Sequence, residues 1–280
     1  MTSKHVKHYT IKEILTYLDC SLCHHIEYNL KLLPPASHLS TNKNVLFKEA
    51  LFETVAYYYR GHSEQNPPGL KNLYNKFYQL WSTKNGTENN ISILTRDLDE
   101  ANHYNRQKES TYVKNGYSLL KNFFDYNNDM KQSIIASNHN YEIAIGNAII
   151  DGKIPLIREV EINKQREVQL VNFSTNKRYV KINEEKLNFH YLMNAFAFQQ
   201  TLKITPDRIL VYNLGRNSET EITYEKNDYL RLFNIIESFL QSIDTVKPYP
   251  TTSVHTYTTR YKELCDNYNY ILNPIKLKEK

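Results

Sequence analysis

The side chains with the most obvious chemical potential stand near the N-terminus, where Cys20-Ser21-Leu22-Cys23-His24-His25 crowds two thiols and two imidazoles into six positions. A C-x-x-C-H run is the attachment pattern of c-type haem, which requires export. The same residues are zinc ligands in type, but ligands this close need a second pair elsewhere, for which Cys265 and His255 are candidates. The plain alternative is a helix with two half-buried thiols. A second constellation is acidic: Asp151, Glu159, Glu161 and Glu167 fall in one alternating stretch, and Glu159 and Glu161 share a strand face by the two-residue period. Such carboxylates could hold a divalent cation, or form a solvated face beside Lys164 and Arg166. A third is aromatic and basic: Tyr57-Tyr58-Tyr59-Arg60 with Tyr74, Phe77, Tyr78 and Trp81. Rings and cations together suit single-stranded nucleic acid, whereas rings at helical spacing also build cores.

The elements that must position these residues change character along the chain. Periodicity predicts helices over 11–18, 45–59 and 70–81, with the Asn66-Pro67-Pro68-Gly69 turn between the last two, and helix again from about 91 to 128. From 133 to 179 the pattern alternates and favours β-branched residues. It predicts strands at 133–137, 142–149, 154–162 and 167–174, with Gly152 turning between the second and third. A helix over 184–202, strands at 208–214 and 219–224, a helix from Asp228 to Ser242 and a short helix at 260–267 complete the reading. The expected fold is α/β: one domain over 1–280, mostly helical over 1–130, with a sheet core over 131–245 and a tail, 246–280, packing near the N-terminus.

Composition bounds the rest. The chain has 280 residues, 23 tyrosines, seven glycines and a net charge of +5. This permits a phosphate-facing surface without demanding one. Tyr, Asn, Lys and Ile abound, a bias expected of an AT-rich genome such as that of a phage or a low-GC bacterium. Three cysteines and a polar N-terminus argue against a disulfide scaffold and an export signal. No run approaches the roughly 18 apolar residues of a membrane span. The expectation is a cytoplasmic protein, in the host cell if phage-encoded, with no membrane partner.

Six segments, in order, are similar to the motifs of RecB-type PD-(D/E)XK nucleases. Leu15–Tyr28 resembles the family's opening, with Tyr17 and Cys20 in place and Ser21 where it has proline. In the helix around 47–55, Lys48 stands for a glycine and Phe52 for the metal-binding histidine, followed by Glu53. Glu142 and Gly152-Lys153-Ile154-Pro155 match a Glu and a Gly-x-Ile-Asp, with Pro155 at the metal-binding Asp. Leu170-Val171-Asn172-Phe173-Ser174-Thr175 matches Val-Val-Asp-Tyr-Lys-Thr, with Asn172 at the acid and Ser174 at the lysine. His190 and Asn194 stand for the Gln and Tyr of Gln-x-x-x-Tyr. Thr256 to Cys265 keeps the frame of the C-terminal iron–sulfur motif, with Thr256 and Thr259 at two of its three cysteines; Cys20 would be the N-terminal partner of Cys265.

The resemblance implies a restriction-endonuclease-like core, a mixed sheet flanked by helices, in which the chemistry has been removed. Hard divalent cations need oxygen ligands, and they activate water and neutralise the scissile phosphate. Phe52 and Pro155 offer no such ligand, Asn172 offers one uncharged oxygen, and Ser174 cannot replace an ammonium. Four thiolates normally hold an iron–sulfur cluster, and Cys20 and Cys265 supply two. The expectation is a pseudo-nuclease without cofactor, acting as a DNA-binding or structural subunit among protein partners in a nucleic-acid-processing complex. Lys48, Lys153, Lys177 and Arg178 are the candidate contacts. Two alternatives stand beside it: an active metal-dependent exonuclease relocated to Glu159 and Glu161, and an assembly component without nucleic-acid contact.

Overall fold

The computed structural model describes residues 6–31, 43–85, 108–128, 130, 132–175, 182, 187–243 and 245. In chain order these form β1 (Lys7–Thr10), α1 (Ile11–Asp19), α2 (Ser21–His24), a π-helical turn (His25–Asn29), α3 (Lys43–Ser63), α4 (Leu70–Asn85) and α5 (Lys108–Asn128). There follow β2 (Gln132–Ile145), β3 (Ala148–Ile162), β4 (Gln165–Ser174), α6 (Phe189–Leu202), β5 (Arg208–Asn213), β6 (Ser218–Ile222) and α7 (Lys226–Ser242). The protein is α/β, with a mixed six-stranded sheet. The tail expected over 246–280, with its short helix, lies outside the described residues. Among the described residues, no helix is long and apolar enough to cross a membrane.

The sheet runs β1-β3-β4-β5-β6, with β2 also paired to β3. β3 is antiparallel to β4 and parallel to β1; β4 is parallel to β5, and β5 antiparallel to β6. On one side, β3 pairs with β1 through Asp151 and with β4 from Leu156 onward. Pro155 lies in the gap between these two ladders, where its missing N–H costs least.

The chain divides into two compact units that share β2 and β3. The first comprises Met1–Asn42, Glu142–Gly152 and Lys226–Lys280; the second comprises Lys43–Tyr141 and Lys153–Glu225. In the first, Thr10 caps α1 by accepting from the Glu13 amide at 3.1 Å. Tyr9 and Tyr17 pack edge-on against Phe239 of α7.

The second unit holds the larger core. Alternation in β3, β4 and β5 sends Leu156, Val171, Leu210 and Tyr212 to one face, where they join Ala50, Leu51, Val55, Tyr58 and Tyr59 of α3, Phe77 and Trp81 of α4, and Leu120 and Phe123 of α5. A Cβ at Gly116 would lie 2.3 Å from the Phe77 ring, so only glycine lets α4 and α5 approach this closely. The opposite face of β4 carries Leu170 and Asn172 and meets α6, so the central strands are buried on both sides. Asn188 caps α6 by accepting from the His190 and Tyr191 amides at 3.0 and 3.4 Å.

Two elements differ from the sequence expectation. β2 and β3 are each continuous, and the turn between them falls at Gly146-Asn147, with Gly146 at φ +62°, rather than at Gly152. The run Ile143–Ile150 is apolar on both sides of that turn and conceals it. β1 was not anticipated: four residues have little strand propensity of their own, and this strand exists by pairing with Ala148–Asp151.

Candidate functional site

β3 and β4 bring three of the positions singled out by the motifs together. Leu156 opposite Val171 is the last pair of that ladder, and Pro155 and Asn172 each stand one residue beyond it on the two strands. By the two-residue period Asn172 and Ser174 share a face, and Asn172 is buried at 1% exposure. That face meets α6, where Asn194 stands one turn beyond His190 on the same stripe. The Tyr141 hydroxyl donates to Asn194 Oδ1 at 3.3 Å, and Asn194 Nδ2 donates to Asn172 Oδ1 at 2.9 Å. Asn172 Nδ2 ends this chain of bonds, buried and with no hydrogen-bond partner. Burial lowers the His190 pKa, holding the imidazole neutral at pH 7.

These atoms do not fit a divalent cation. The single Asn172 oxygen is already bonded, its remaining group is an N–H donor, and Pro155 contributes no ligand. Phe52 does not join this face. Its ring lies 6.4 Å from Phe173, the neighbour of Asn172, whose side chain emerges on the other side of β4 among the aromatic core. Of the candidate cations, Lys48 and Lys153 are exposed, while Lys177 and Arg178 lie outside the described residues.

The acidic stretch is engaged locally. Glu159 pairs with Arg166 at 3.4 Å, and Glu161 is cross-strand from the same Arg166. Asp151 lies 3.6 Å from His8 on β1. Among the described residues, no group of three or more His, Cys, Asp or Glu side chains is disposed to hold a metal ion. In the N-terminal unit Cys20 and Cys23 are buried thiols, and Cys20 Sγ accepts from the Cys23 amide at 3.4 Å. His24 is directed at Glu13, with Nε2 to Oε1 at 3.2 Å, and stacks on Tyr28. Thr256, Thr259, Cys265 and His255, and with them the expected Cys20–Cys265 contact, lie outside the described residues.

The most extensive polar cluster was not anticipated. Arg158, 1% exposed, donates from Nε to Gln169 Oε1 at 2.9 Å, from Nη1 to Gln132 Oε1 at 3.5 Å, and from Nη2 to Tyr126 Oη at 3.0 Å and Glu219 Oε1 at 2.8 Å. The Tyr126 hydroxyl in turn donates to Glu219. Burial opposes the guanidinium charge, but Tyr126, Tyr59 and Glu219 outweigh it and raise the Arg158 pKa. Tyr126 is raised too, by burial first. Gln132 Nε2 and the Tyr59 hydroxyl both donate to Asn127 Oδ1, linking β2, α3 and α5. The signal was present: Leu156, Arg158 and Val160 alternate in phase, so Arg158 had to point inward. This network has the character of a buried fastening, with all three guanidinium nitrogens of Arg158 hydrogen-bonded.

No protein-family model matches the sequence, and no curated protein matches it.

Proposed function

We propose that this chain carries a RecB-like PD-(D/E)XK nuclease core stripped of its metal chemistry, and that it works as a non-catalytic subunit, DNA-binding or structural, of a nucleic-acid-processing complex. One observation carries the reading. At two positions where the resemblance puts metal-binding acids, each one residue beyond the last pair of the β3–β4 ladder, stand a proline without a ligand atom and a buried asparagine whose oxygen is bonded to Asn194. The order of the segments supports it as well: Glu142 falls on β2, Gly152–Pro155 on β3, Leu170–Ser174 on β4 and His190/Asn194 on α6. Loss of charge stabilisation at a phosphoryl-transfer site removes several kcal/mol per element, which leaves little catalysis. The relocated-site alternative needs Glu159 and Glu161 to gather a cation, and Arg166 occupies their face instead.

The test is incubation of the full chain with labelled single- and double-stranded DNA in Mg²⁺ or Mn²⁺. The expected outcome is no cleavage. Cleavage that disappears in Glu159→Ala or Glu161→Ala would overturn the proposal in favour of a relocated active site. Binding measured across ionic strength separates the two non-catalytic roles: affinity that falls steeply with salt indicates a DNA-binding subunit, and absence of binding an assembly component.

A further inference from the structure

The structure sorts the aromatic residues of α3 and α4 into two groups. Tyr58, Tyr59, Phe77 and Trp81 are buried in the core. Tyr74 and Tyr78 of α4 are half-buried, and Tyr74 meets a residue the sequence reading did not single out, Tyr117 of α5. Tyr74 and Tyr117 stack with ring centroids 4.3 Å apart at 21°. Contacts from Tyr74 to Tyr117 and from Trp81 to Tyr112 show that α4 and α5 run antiparallel.

Helical spacing then fixes what lines this seam. On α4, Lys71 lies one turn before Tyr74, and Tyr78 one turn after it. On α5, Lys114 lies one turn before Tyr117, and Lys121 one turn after it. Lys71 and Lys114 are exposed, and the Lys121 side chain is 60% exposed. The seam is therefore a stacked Tyr74–Tyr117 pair, with Tyr78 one turn along α4 and lysines at both ends. α4 contains no acidic residue. Asp125, paired with Lys121 at 2.6 Å, is the acid beside it.

We propose that the Tyr74–Tyr117 seam between α4 and α5 binds single-stranded nucleic acid, with bases stacking on Tyr74, Tyr78 and Tyr117 and phosphates held by Lys71, Lys114 and Lys121. The inference rests on the nucleic-acid reading above and adds the surface and the strand form. The charge is complementary to a phosphate backbone. Tyr74 and Tyr117 cover one face of each other, so a base would extend the half-buried stack from its outer side, which suits unpaired bases because those of a duplex are already stacked on one another. Tyrosine and lysine also combine sequence-tolerant stacking with a point charge.

The experiment is fluorescence anisotropy of the full chain with a labelled oligothymidylate of roughly a dozen nucleotides, across a salt series, with duplex DNA and polyglutamate as competitors. The single strand is expected to bind, and neither competitor to match it. Tyr74→Leu/Tyr117→Leu, which keeps the seam apolar, is expected to weaken binding by about tenfold or more with the salt slope unchanged. Lys71→Gln/Lys114→Gln/Lys121→Gln is expected to flatten the slope of log K against log salt by about 2. Tyr74→Phe/Tyr117→Phe keeps the rings and is expected to bind as the parent does, so a folding defect in the leucine variant, seen by circular dichroism, leaves the test intact. Wild-type binding that neither the leucine nor the lysine substitutions change would overturn the seam while leaving DNA binding standing. A wild type that binds no oligonucleotide would overturn both. Equal competition by duplex or polyglutamate would assign the seam to another partner.

Discussion

At the scale of single residues, Asn172 is a buried amide tied to its surroundings through its oxygen alone. A carboxylate there would present two charged oxygens. The asparagine accepts one bond from Asn194 and leaves a donor unpaired. Asn194→Leu strands Asn172 Oδ1 and the Tyr141 hydroxyl in a dry site, so it is expected to cost roughly 1–3 kcal/mol in urea unfolding. His190 adds a pH signature. Its pKa is lowered by burial, so the folded state favours the neutral ring. The unfolded chain takes up the proton near pH 6.5. The contribution is therefore present above that pH and is lost as pH falls through the lower folded pKa. Unfolding of His190→Gln, followed between pH 7 and 5, is expected to show a shallower acid loss than the parent.

At the scale of elements, the Arg158 network fastens α5, β2, β3, β4 and β6 through side chains rather than ladders. It is a buried ion pair with a tyrosine, and such pairs are costly to break one partner at a time. Glu219, 27% exposed, is the one carboxylate bonded to Arg158. Glu219→Ala leaves the guanidinium buried with neutral acceptors and is expected to destabilise by roughly 2–4 kcal/mol. The double variant Arg158→Met/Glu219→Ala removes charge and counter-charge together and is expected to cost less than Glu219→Ala alone. Urea midpoints of the parent, both single variants and the double variant complete the cycle. Additive losses would show that the pair is not coupled.

At the scale of the whole molecule, the proposal that Pro155 and Asn172 hold no cation has a thermodynamic consequence. A cation bound to the native state at 100 times its Kd would stabilise it by about 2.7 kcal/mol. The melting temperature is expected not to rise when millimolar Mg²⁺ or Mn²⁺ is added, and a saturable upward shift would overturn the fit argument. Much of the fold was legible before the structure. The helical stretches at 45–59 and 70–81 and the strands at 154–162 and 167–174 lie inside α3, α4, β3 and β4, because amphipathic periods are local and each reports its own buried face. The side-chain chemistry at Pro155 and Asn172 was legible for a simpler reason: proline has no side-chain ligand atom and asparagine no charge wherever they sit. Tertiary structure alone decided the rest. It chose Asn194 as the partner of Asn172, 22 positions away. It made β1 a strand by giving it Ala148–Asp151 to pair with. It placed Arg158 against Glu219, and it divided the tyrosines between the core and the α4–α5 seam. These outcomes depend on which distant surfaces meet. Sequence alone encodes each residue's own chemistry and the period of its element, while the identity of a partner is set by packing across the whole chain.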